Sequence, residues 1–369
     1  MELDWRSTVL LVTGVPSVIA AVMAWHCSRE RLASVLFIGL QTAWFLLTMP
    51  YIIGFSGAYD AYPELTFFPF NTELWLGPLW LLYIRALTAR VLPERWWMWL
   101  LPGTIQTAYY TICFLFLGDA AAKFAFNDNV HEPYIVPFET ALGLALIGFA
   151  ALDSRTRIAQ HRRWIESEHS NRERVDLAWL ARSGFAIIML ALIWISADAI
   201  QAVTERFSYS FTFYIYALVG TVLLVLALEA LSKVEVAVPK RAASIDGHPD
   251  VPEPPVSAKI DLDAVERELR HHGWHLDPDL TLSQLARKVG TNKTALSAAI
   301  NHCTGDNFTS FINRLRVAEV CERLREDKGS QNLLQIAFEA GFGSKATFNR
   351  AFKKHTGMAP SAWIRAELT

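Results

Sequence analysis

The C-terminal third of the chain contains TLSQLARKVGTNKTALSAAINHCTG, from Thr281 to Gly305. Its first half carries apolar side chains three and four residues apart, the spacing of one face of an α-helix. These are Leu282, Leu285, Ala286 and Val289. Leu296 and Ile300 repeat this spacing further on and predict a second helix that packs back on the first. The pattern predicts two short helices joined by a tight turn.

The ends of both predicted helices carry the expected local signals. Thr281 is followed three residues later by Gln284, the pattern of a capping box. Gly290 suits a left-handed turn, because it has no Cβ. Asn292 can cap the helix that follows. The start, the turn and the second start therefore all favour a helix-turn-helix unit.

The same pattern recurs 51 residues later as IAFEAGFGSKATFNRAFKKHTG, from Ile336 to Gly357. With one extra residue in the turn, the matched pairs are Ala286 and Ala337, Gly290 and Gly341, Leu296 and Phe348, Ile300 and Phe352, Gly305 and Gly357. A repeat with the same core positions indicates two copies of one unit. Between them, 307–325 carries apolar residues that suit a long connecting helix.

The second copy lies within GFGSKATFNRAFKKHTGMAPSAW, from Gly341 to Trp363, which resembles the signature of the AraC/XylS family of bacterial transcription regulators. The resemblance covers about residues 261–369. It implies that the second helix of each unit lies in a major groove of double-stranded DNA, the two grooves being about one helical turn apart. It also implies RNA polymerase as a partner.

Carried over by position, the resemblance predicts which residues read DNA. The first unit would use Lys293, Thr294, Ser297 and Asn301, and the second Lys345, Ala346, Asn349 and Arg350. Arg can bind guanine through two hydrogen bonds, and Asn can do the same with adenine. We expect phosphate contacts from Lys353 and Lys354, and Lys293 is a further candidate for such a contact.

The two units are not equal. Where the second has Asn349 and Arg350, the first has Ser297 and Ala298, so specific reading is weighted toward the second unit. An alternative role for Arg350 is an ion pair with Glu339. The region 261–369 has fifteen Lys and Arg against thirteen Asp and Glu. This small excess predicts modest nonspecific binding and assistance by a homodimer or neighbouring proteins.

The rest of the chain predicts a membrane domain. The 369 residues are 52% hydrophobic and include 13 Trp, which is too apolar for an average soluble protein. A bilayer core needs about 20 apolar residues per helix. Seven runs have about this length: Thr8–Trp25, Leu32–Phe55, Phe70–Leu87, Trp97–Leu117, Tyr134–Leu152, Leu177–Ile200 and Phe211–Leu231.

The third run is the weakest, because Glu73 and Arg85 flank a short apolar centre, although both side chains could snorkel to the interfaces. The predicted fold class is all-α, a seven-helix membrane bundle followed by the double helix-turn-helix domain. The bundle, with GPLWLLYIRALT at Gly77–Thr88, resembles the membrane sensor attached to some members of the family.

Basic residues alternate across the predicted loops and give an orientation. One side receives thirteen Lys and Arg: Arg29, Arg31, Arg85, Arg90, Arg95, the six arginines within 155–174, Arg182 and Lys233. The other receives Arg6, Lys123 and Arg206. We therefore expect a multi-pass protein of the bacterial cytoplasmic membrane, with its N-terminus outside and its C-terminal domain in the cytoplasm. The acidic start of the chain argues against a removable signal peptide.

Two acidic residues, Glu139 and Asp198, fall inside predicted spans. Ionisable groups at membrane depth usually face a bundle interior, so they are candidates for a sensing pocket. The alternative, which the sequence favours, is that both lie at the wet interface and form local hydrogen bonds. Gln106 and Gln201 are possible neighbours.

The predicted domains are a membrane sensor at 1–233, a linker at 234–260 and the DNA-binding domain at 261–369, with units at 281–305 and 332–357. Five prolines and lost periodicity mark the linker. The four cysteines have no metal-ligand spacing, so no metal site and no cofactor is expected. The two C-terminal ones, Cys303 and Cys321, are expected in the core.

These features predict a one-component receptor: the bundle senses an unknown signal molecule or membrane partner and controls sequence-specific DNA binding. The alternative is a transporter or intramembrane enzyme with an accessory DNA-binding domain. Catalysis would need a cluster of acids, His or nucleophiles on facing spans, and transport would need several buried charges or matched broken helices. The sequence displays neither pattern, so an enzyme is not predicted.

Overall fold

A computed structural model describes residues 4–28, 30–89, 92–170, 180, 182, 184–185, 209–232, 260–326 and 332–367. The chain divides into two compact units. The first comprises Met1–Ala159 and Leu177–Ala243, and the second comprises Gln160–Asp176 and Ser244–Thr369. The described part of the chain is helical, apart from turns and isolated bridges. The predicted linker lies outside the described residues, except for Ile260.

The first unit begins with long apolar helices. Its elements, some extending past its boundary, are α1 (Trp5–Cys27), α2 (Arg31–Phe55), α3 (Ala58–Ala61), α4 (Glu73–Thr88), α5 (Leu101–Phe116), α6 (Ala120–Phe126), α7 (Val136–Glu168) and α8 (Tyr209–Ser232). Small residues such as Ala20, Ala21 and Ala33 are buried along α1 and α2. Small side chains let helix backbones approach closely, so this packing suits a bundle of apolar helices.

Four helical segments of the described chain are long and apolar enough to cross a membrane: Trp5–Cys27, Arg31–Phe55, Ala120–Ile165 and Thr212–Ser232. The predicted third and fourth spans form α4 and α5, each of 16 residues. At 1.5 Å per residue each helix is about 24 Å long, shorter than a bilayer core of about 30 Å. The sixth predicted span lies almost wholly outside the described residues. The count of seven is therefore not confirmed.

The fifth predicted span starts earlier than the sequence indicated. The segment before Tyr134, expected to be an outer loop, is helical from Ala120, with a π-helical stretch at Asn127–Ile135. This stretch contains Pro133, which has no N–H to donate. A π-type widening accommodates such a break while the helix continues, so proline did not end the helix here.

Arg85, one of the two charges that flank the third predicted run, is not exposed. It is buried, and its guanidinium binds the Asp153 carboxylate through Nε and Nη2, both at 3.2 Å. Arg157, one helical turn after Asp153, binds the same carboxylate at 2.7 Å. The ion pair compensates the burial of the Arg85 charge, which would otherwise be costly.

The second unit contains α9 (Leu262–His271), α10 (Leu282–Lys288), α11 (Lys293–Thr304), α12 (Phe308–Glu326), α13 (Leu333–Glu339), α14 (Lys345–Thr356) and α15 (Pro360–Glu367). The two predicted helix-turn-helix units are α10 with α11 and α13 with α14. The long connecting helix is α12, within one residue of its predicted limits.

Each helix-turn-helix unit has its own core. Leu285, Leu296 and Ile300 pack with Phe311 and Leu315 of α12 in the first core. In the second core, Ala337, Phe348 and Phe352 pack with other residues of α12, including Val320 and Leu324. The connecting helix therefore contributes to both cores along its length, as expected from its apolar pattern.

The local signals predicted for the turns are also confirmed. Thr281 and Gln284 form a reciprocal capping box. Gly290 and Gly341 have φ of 72° and 89°, in the left-handed region. At Gly341 a Cβ would also lie 2.6 Å from the Leu276 carbonyl oxygen, so only glycine fits this turn. Of the cysteines, Cys321 is buried as expected, but Cys303 is exposed, since it lies on the outer face of α11.

Candidate nucleic-acid interface

The first candidate reading helix, α11, is fixed by its cap and by two buried side chains. Asn292 Oδ1 accepts a hydrogen bond from the Ala295 amide at 2.7 Å. Leu296 and Ile300 are fully buried in the first core. The opposite face turns outward, because helical residues three and four apart share a face. The predicted reading residues of this unit lie there: Lys293, Thr294 and Asn301 are exposed and Ser297 is half-buried.

The second candidate reading helix, α14, is fixed in the same way. Ser344 caps it by accepting from the Thr347 amide at 3.1 Å, and Phe348 and Phe352 are buried beneath it. Its outer face carries the predicted residues Lys345, Ala346, Asn349, Arg350, Lys353 and Lys354, all exposed. The structure thus brings each predicted set together on one helix face.

Lys354 is engaged within the protein rather than directed only at solvent. Its Nζ donates to Asp306 Oδ1 at 2.8 Å and to Ser310 Oγ at 2.6 Å, tying α14 to the start of α12. A phosphate contact from Lys354 would compete with Asp306 for the same ammonium group. The geometry therefore favours Lys353 over Lys354 as the phosphate ligand of this unit.

Glu339, considered above as an alternative partner for Arg350, is engaged by other side chains. Arg323 Nη1 lies 3.4 Å from its Oε2, and Gln335 Nε2 donates to its Oε1 at 3.0 Å. Arg350 itself is exposed on α14.

Lys293 has a partner that the sequence did not reveal. Its ammonium forms an ion pair with the carboxylate of Glu168, the last residue of α7. Glu168 and Lys293 belong to the same compact unit. Burial acts to raise the pKa of this carboxyl, but hydrogen bonds from Lys293 and Ser283 outweigh it and hold the pKa below its usual range. Glu168 is therefore charged at neutral pH.

A second residue missed by the sequence reasoning is Arg316, on α12 between the two cores. Its guanidinium is buried and donates to the carbonyl oxygens of His275 and Asp277, both at 2.7 Å, and to Ser170 Oγ at 3.0 Å. Burial lowers the pKa of Arg316 to about 10, so it stays charged at neutral pH. A lone basic residue at an otherwise apolar helix position, between Leu315 and Val317, was the available signal.

In the compact unit that contains α1–α6, Glu139 lies in a buried polar cluster. Its Oε2 accepts from Tyr110 OH at 3.1 Å and from Asn71 Nδ2 at 3.4 Å, and His131 Nε2 lies 3.2 Å from the same Tyr110 hydroxyl. Gln106 Oε1, a predicted neighbour, accepts from the Leu74 amide at 3.0 Å. Asp198 and Gln201 lie outside the described residues. Glu139 thus joins side chains from two other stretches of the chain, one before α4 and one on α5.

Residues 285–366 match the model of a family described as "Helix-turn-helix domain". Over 92 residues the chain is 33% identical to the "Right origin-binding protein" of Escherichia coli (strain K12) and to the "Transcriptional regulator Rob" of Salmonella typhimurium, covering 25% of this chain and 31% of each of those proteins. An uncharacterized HTH-type transcriptional regulator of Staphylococcus aureus is 32% identical over 89 residues, 24% of this chain and 12% of that protein.

A solved structure of a Listeria innocua protein of unknown function matches with 29% identity, over 29% of this chain and 97% of that chain, at a TM-score of 0.25. The chain spans under a third of the length of the curated relatives named above. Together, the family match and the relatives show that the C-terminal part of the chain is a helix-turn-helix domain of the AraC type.

Proposed function

We propose that this chain is a membrane-bound transcriptional regulator whose region 261–369 binds double-stranded DNA through both helix-turn-helix units. The observation that carries the proposal is the pair of equivalently capped helices, α11 and α14, each with a buried apolar face and an outward polar face. The related regulators support it. RNA polymerase and a second copy of the chain are the expected partners, and the cytoplasmic face of a bacterial membrane is the expected location.

In this proposal the second unit supplies most of the sequence specificity. Arg350 and Asn349 are exposed on α14, and these side-chain types can each form two hydrogen bonds with one base edge. The corresponding positions of α11 hold Ser297 and Ala298, which cannot. Lys353 and Lys345 add charge that acts on phosphates irrespective of sequence.

The test is Arg350→Ala in the full-length chain, measured by DNA binding over a set of sites that differ at single base pairs. We expect a loss of about 1–3 kcal/mol on the best site and relaxed preference at one base position. Lys353→Ala is the matched control on the same helix face. It should weaken binding uniformly across sequences and reduce the dependence of affinity on salt. An equal loss on all sequences for Arg350→Ala would assign it to phosphate and remove the specific role.

We further propose that the membrane unit senses a signal through the cluster around Glu139. Four apolar helical segments support membrane association. A buried carboxylate held by Tyr110 and Asn71 is costly to place among apolar helices, and such groups usually have a functional role. A ligand that binds near it can shift the regulator only by its difference in affinity for two bundle states.

Glu139→Gln is expected to change the transcriptional response several-fold, either lowering induction or making output independent of the signal, because an amide replaces the carboxyl group that binds Tyr110 and Asn71. A reporter gene behind a bound site measures this. Glu132→Gln is the matched control, since Glu132 is exposed in the same segment and should leave the response unchanged. An unchanged response in Glu139→Gln would remove the cluster from the sensing mechanism. Asp198→Asn tests the other sequence-predicted residue.

A further inference from the structure

We propose that the segment Glu168–Ser170, named here the latch, occupies the part of the DNA-contacting surface of the first helix-turn-helix unit formed by Ser283 and Lys293, and competes with a DNA phosphate for it. The inference rests on the proposed DNA binding and adds a regulatory step. The latch and the surface it covers belong to the same compact unit, which comprises Gln160–Asp176 and Ser244–Thr369.

The contact begins with the Glu168 carboxylate. Oε1 accepts hydrogen bonds from the Ser283 amide at 3.3 Å and from the Ser283 hydroxyl, while Oε2 pairs with the Lys293 ammonium. The Glu168 side chain retains 8% of its accessible surface, against 43% for Lys293. The carboxylate is therefore held between the starts of α10 and α11, and both of its oxygens are engaged.

This arrangement has the chemistry of a phosphate contact. A carboxylate, like a backbone phosphate of DNA, offers a negative charge shared by acceptor oxygens, and Lys, hydroxyl and amide donors are typical phosphate ligands. In a helix-turn-helix unit the first helix crosses the DNA backbone and the second presents its N-terminal residues to the groove. Ser283 and Lys293 occupy those two places, so Glu168 takes the position that a phosphate would need.

The latch is held by more than this ion pair. Thr309 Oγ1 donates to the His169 carbonyl at 2.7 Å, and the Ser170 amide donates to the Leu280 carbonyl at 3.1 Å. Ser170, fully buried, also accepts from Arg316 Nη2 at 3.0 Å. An isolated surface ion pair contributes little to binding. These contacts of His169 and Ser170 hold the backbone next to Glu168. The ion pair therefore does not have to order a mobile segment when it forms.

The two units differ in this respect. Glu168 contacts Ser283 and Lys293 at the starts of α10 and α11, and His169 contacts Thr309 of α12, so the described latch contacts lie on the first helix-turn-helix unit and α12. In the latched state DNA would be bound chiefly by the second unit. Release of the latch would let the first helix-turn-helix unit bind the same DNA molecule. A second tethered contact raises the affinity for DNA strongly. Glu168 is the last residue of α7. This helix begins at Val136, in the compact unit that contains α1–α6, so the latch is covalently continuous with a membrane-type helix.

The first arm of the test needs no DNA. Hydrogen exchange of the full-length chain in detergent micelles is compared for wild type, Glu168→Gln and the charge-reversing Glu168→Lys. We expect faster exchange in 168–170 and at the Ser283 amide, with the second core unchanged. Glu322→Gln, an equal charge change at an exposed position of α12, is the matched control and should behave as wild type. Unchanged exchange in Glu168→Lys would overturn the docking.

The second arm measures affinity for a DNA fragment that carries the whole footprint and for a shortened fragment that retains only the part protected by the second unit. We expect Glu168→Gln to bind the whole site about tenfold more tightly than wild type and the short site equally well. Equal affinity of wild type and both Glu168 variants for the whole site would overturn the competition. If no variant binds any DNA, the proposed function itself fails, and the exchange data still decide whether Glu168 holds the segment.

Discussion

Replacing Arg316 with Ala is expected to lower the free energy of unfolding of the C-terminal domain by about 3–5 kcal/mol. The guanidinium, 1% exposed, satisfies the carbonyl oxygens of His275 and Asp277 and the hydroxyl of Ser170. Its removal leaves the buried acceptors on His275 and Ser170 without their donor, each at a cost of about 1–3 kcal/mol before relaxation, frees the part-buried carbonyl of Asp277, and opens a cavity between the two cores.

Hydrogen exchange of the full-length chain measures this loss as reduced protection in α10, α12 and α14. Arg314→Ala is the control: Arg314 lies two residues away, is partly exposed, and pairs with Glu266 at 2.7 Å. It should cost less than about 1 kcal/mol. Arg316→Lys keeps the charge but loses the planar fork, and should be intermediate. Equal protection in the two alanine variants would contradict the structural role assigned to Arg316.

Phe352→Ala is expected to cost about 3–5 kcal/mol, concentrated in the second unit. Phe352 is fully buried, with its ring 5.4 Å from that of Phe348 and 5.7 Å from that of Trp363. Truncation leaves a cavity and removes two edge-to-face ring contacts. The first core, built on Leu296 and Ile300, has its own set of packed residues, so we expect it to keep most of its protection.

The measurement is again hydrogen exchange, compared between 282–304 and 333–364. Lys353→Ala changes the adjacent exposed residue and should leave both regions unaltered. If Phe352→Ala lowered protection equally in the two regions, the two cores would unfold as one cooperative unit. That result would contradict the expectation that the two cores on α12 are stabilised separately.

The fold of the C-terminal domain was largely predictable, because its signals are local. Capping by Thr281 and Asn292, and the turn at Gly290, depend on neighbours within a few residues. The repeat then assigned the buried positions of the second unit from those of the first. The same reasoning placed the candidate reading residues on two outward helix faces, although their contact with DNA stays a prediction.

The contacts that regulate or brace this domain were not predictable, because they join residues far apart in sequence. Glu168 and Ser283 are separated by 115 positions, and Lys354 and Asp306 by 48. Helical periodicity predicts which side of a helix is apolar. It does not predict which distant segment packs against the polar end of that helix. The distribution of basic residues placed the arginine-rich stretch within 155–174 in a cytoplasmic loop, and gave no indication that Glu168–Ser170 would contact the helix-turn-helix domain.

In the compact unit that contains α1–α6, hydropathy located apolar helices but not their ends or polar partners. The fifth apolar run predicted a helix from Tyr134, whereas the helix begins at Ala120 and a π-type stretch carries it through Pro133. The sequence indicated no partner for Arg85, because the carboxylate of Asp153 that it binds lies 68 residues further along the chain. Glu139 likewise acquired its partners through tertiary packing.

The central claim, that both helix-turn-helix units bind one face of DNA with specificity weighted to the second, is tested most directly by footprinting. Hydroxyl-radical footprints would be recorded with saturating full-length protein in micelles, for wild type and Arg350→Ala. The account predicts two protected patches about 34 Å apart on one DNA face, with discrimination at one base pair lost in the variant. Protection that is the same on every sequence, or a wild-type footprint unaltered by Arg350→Ala, would contradict it.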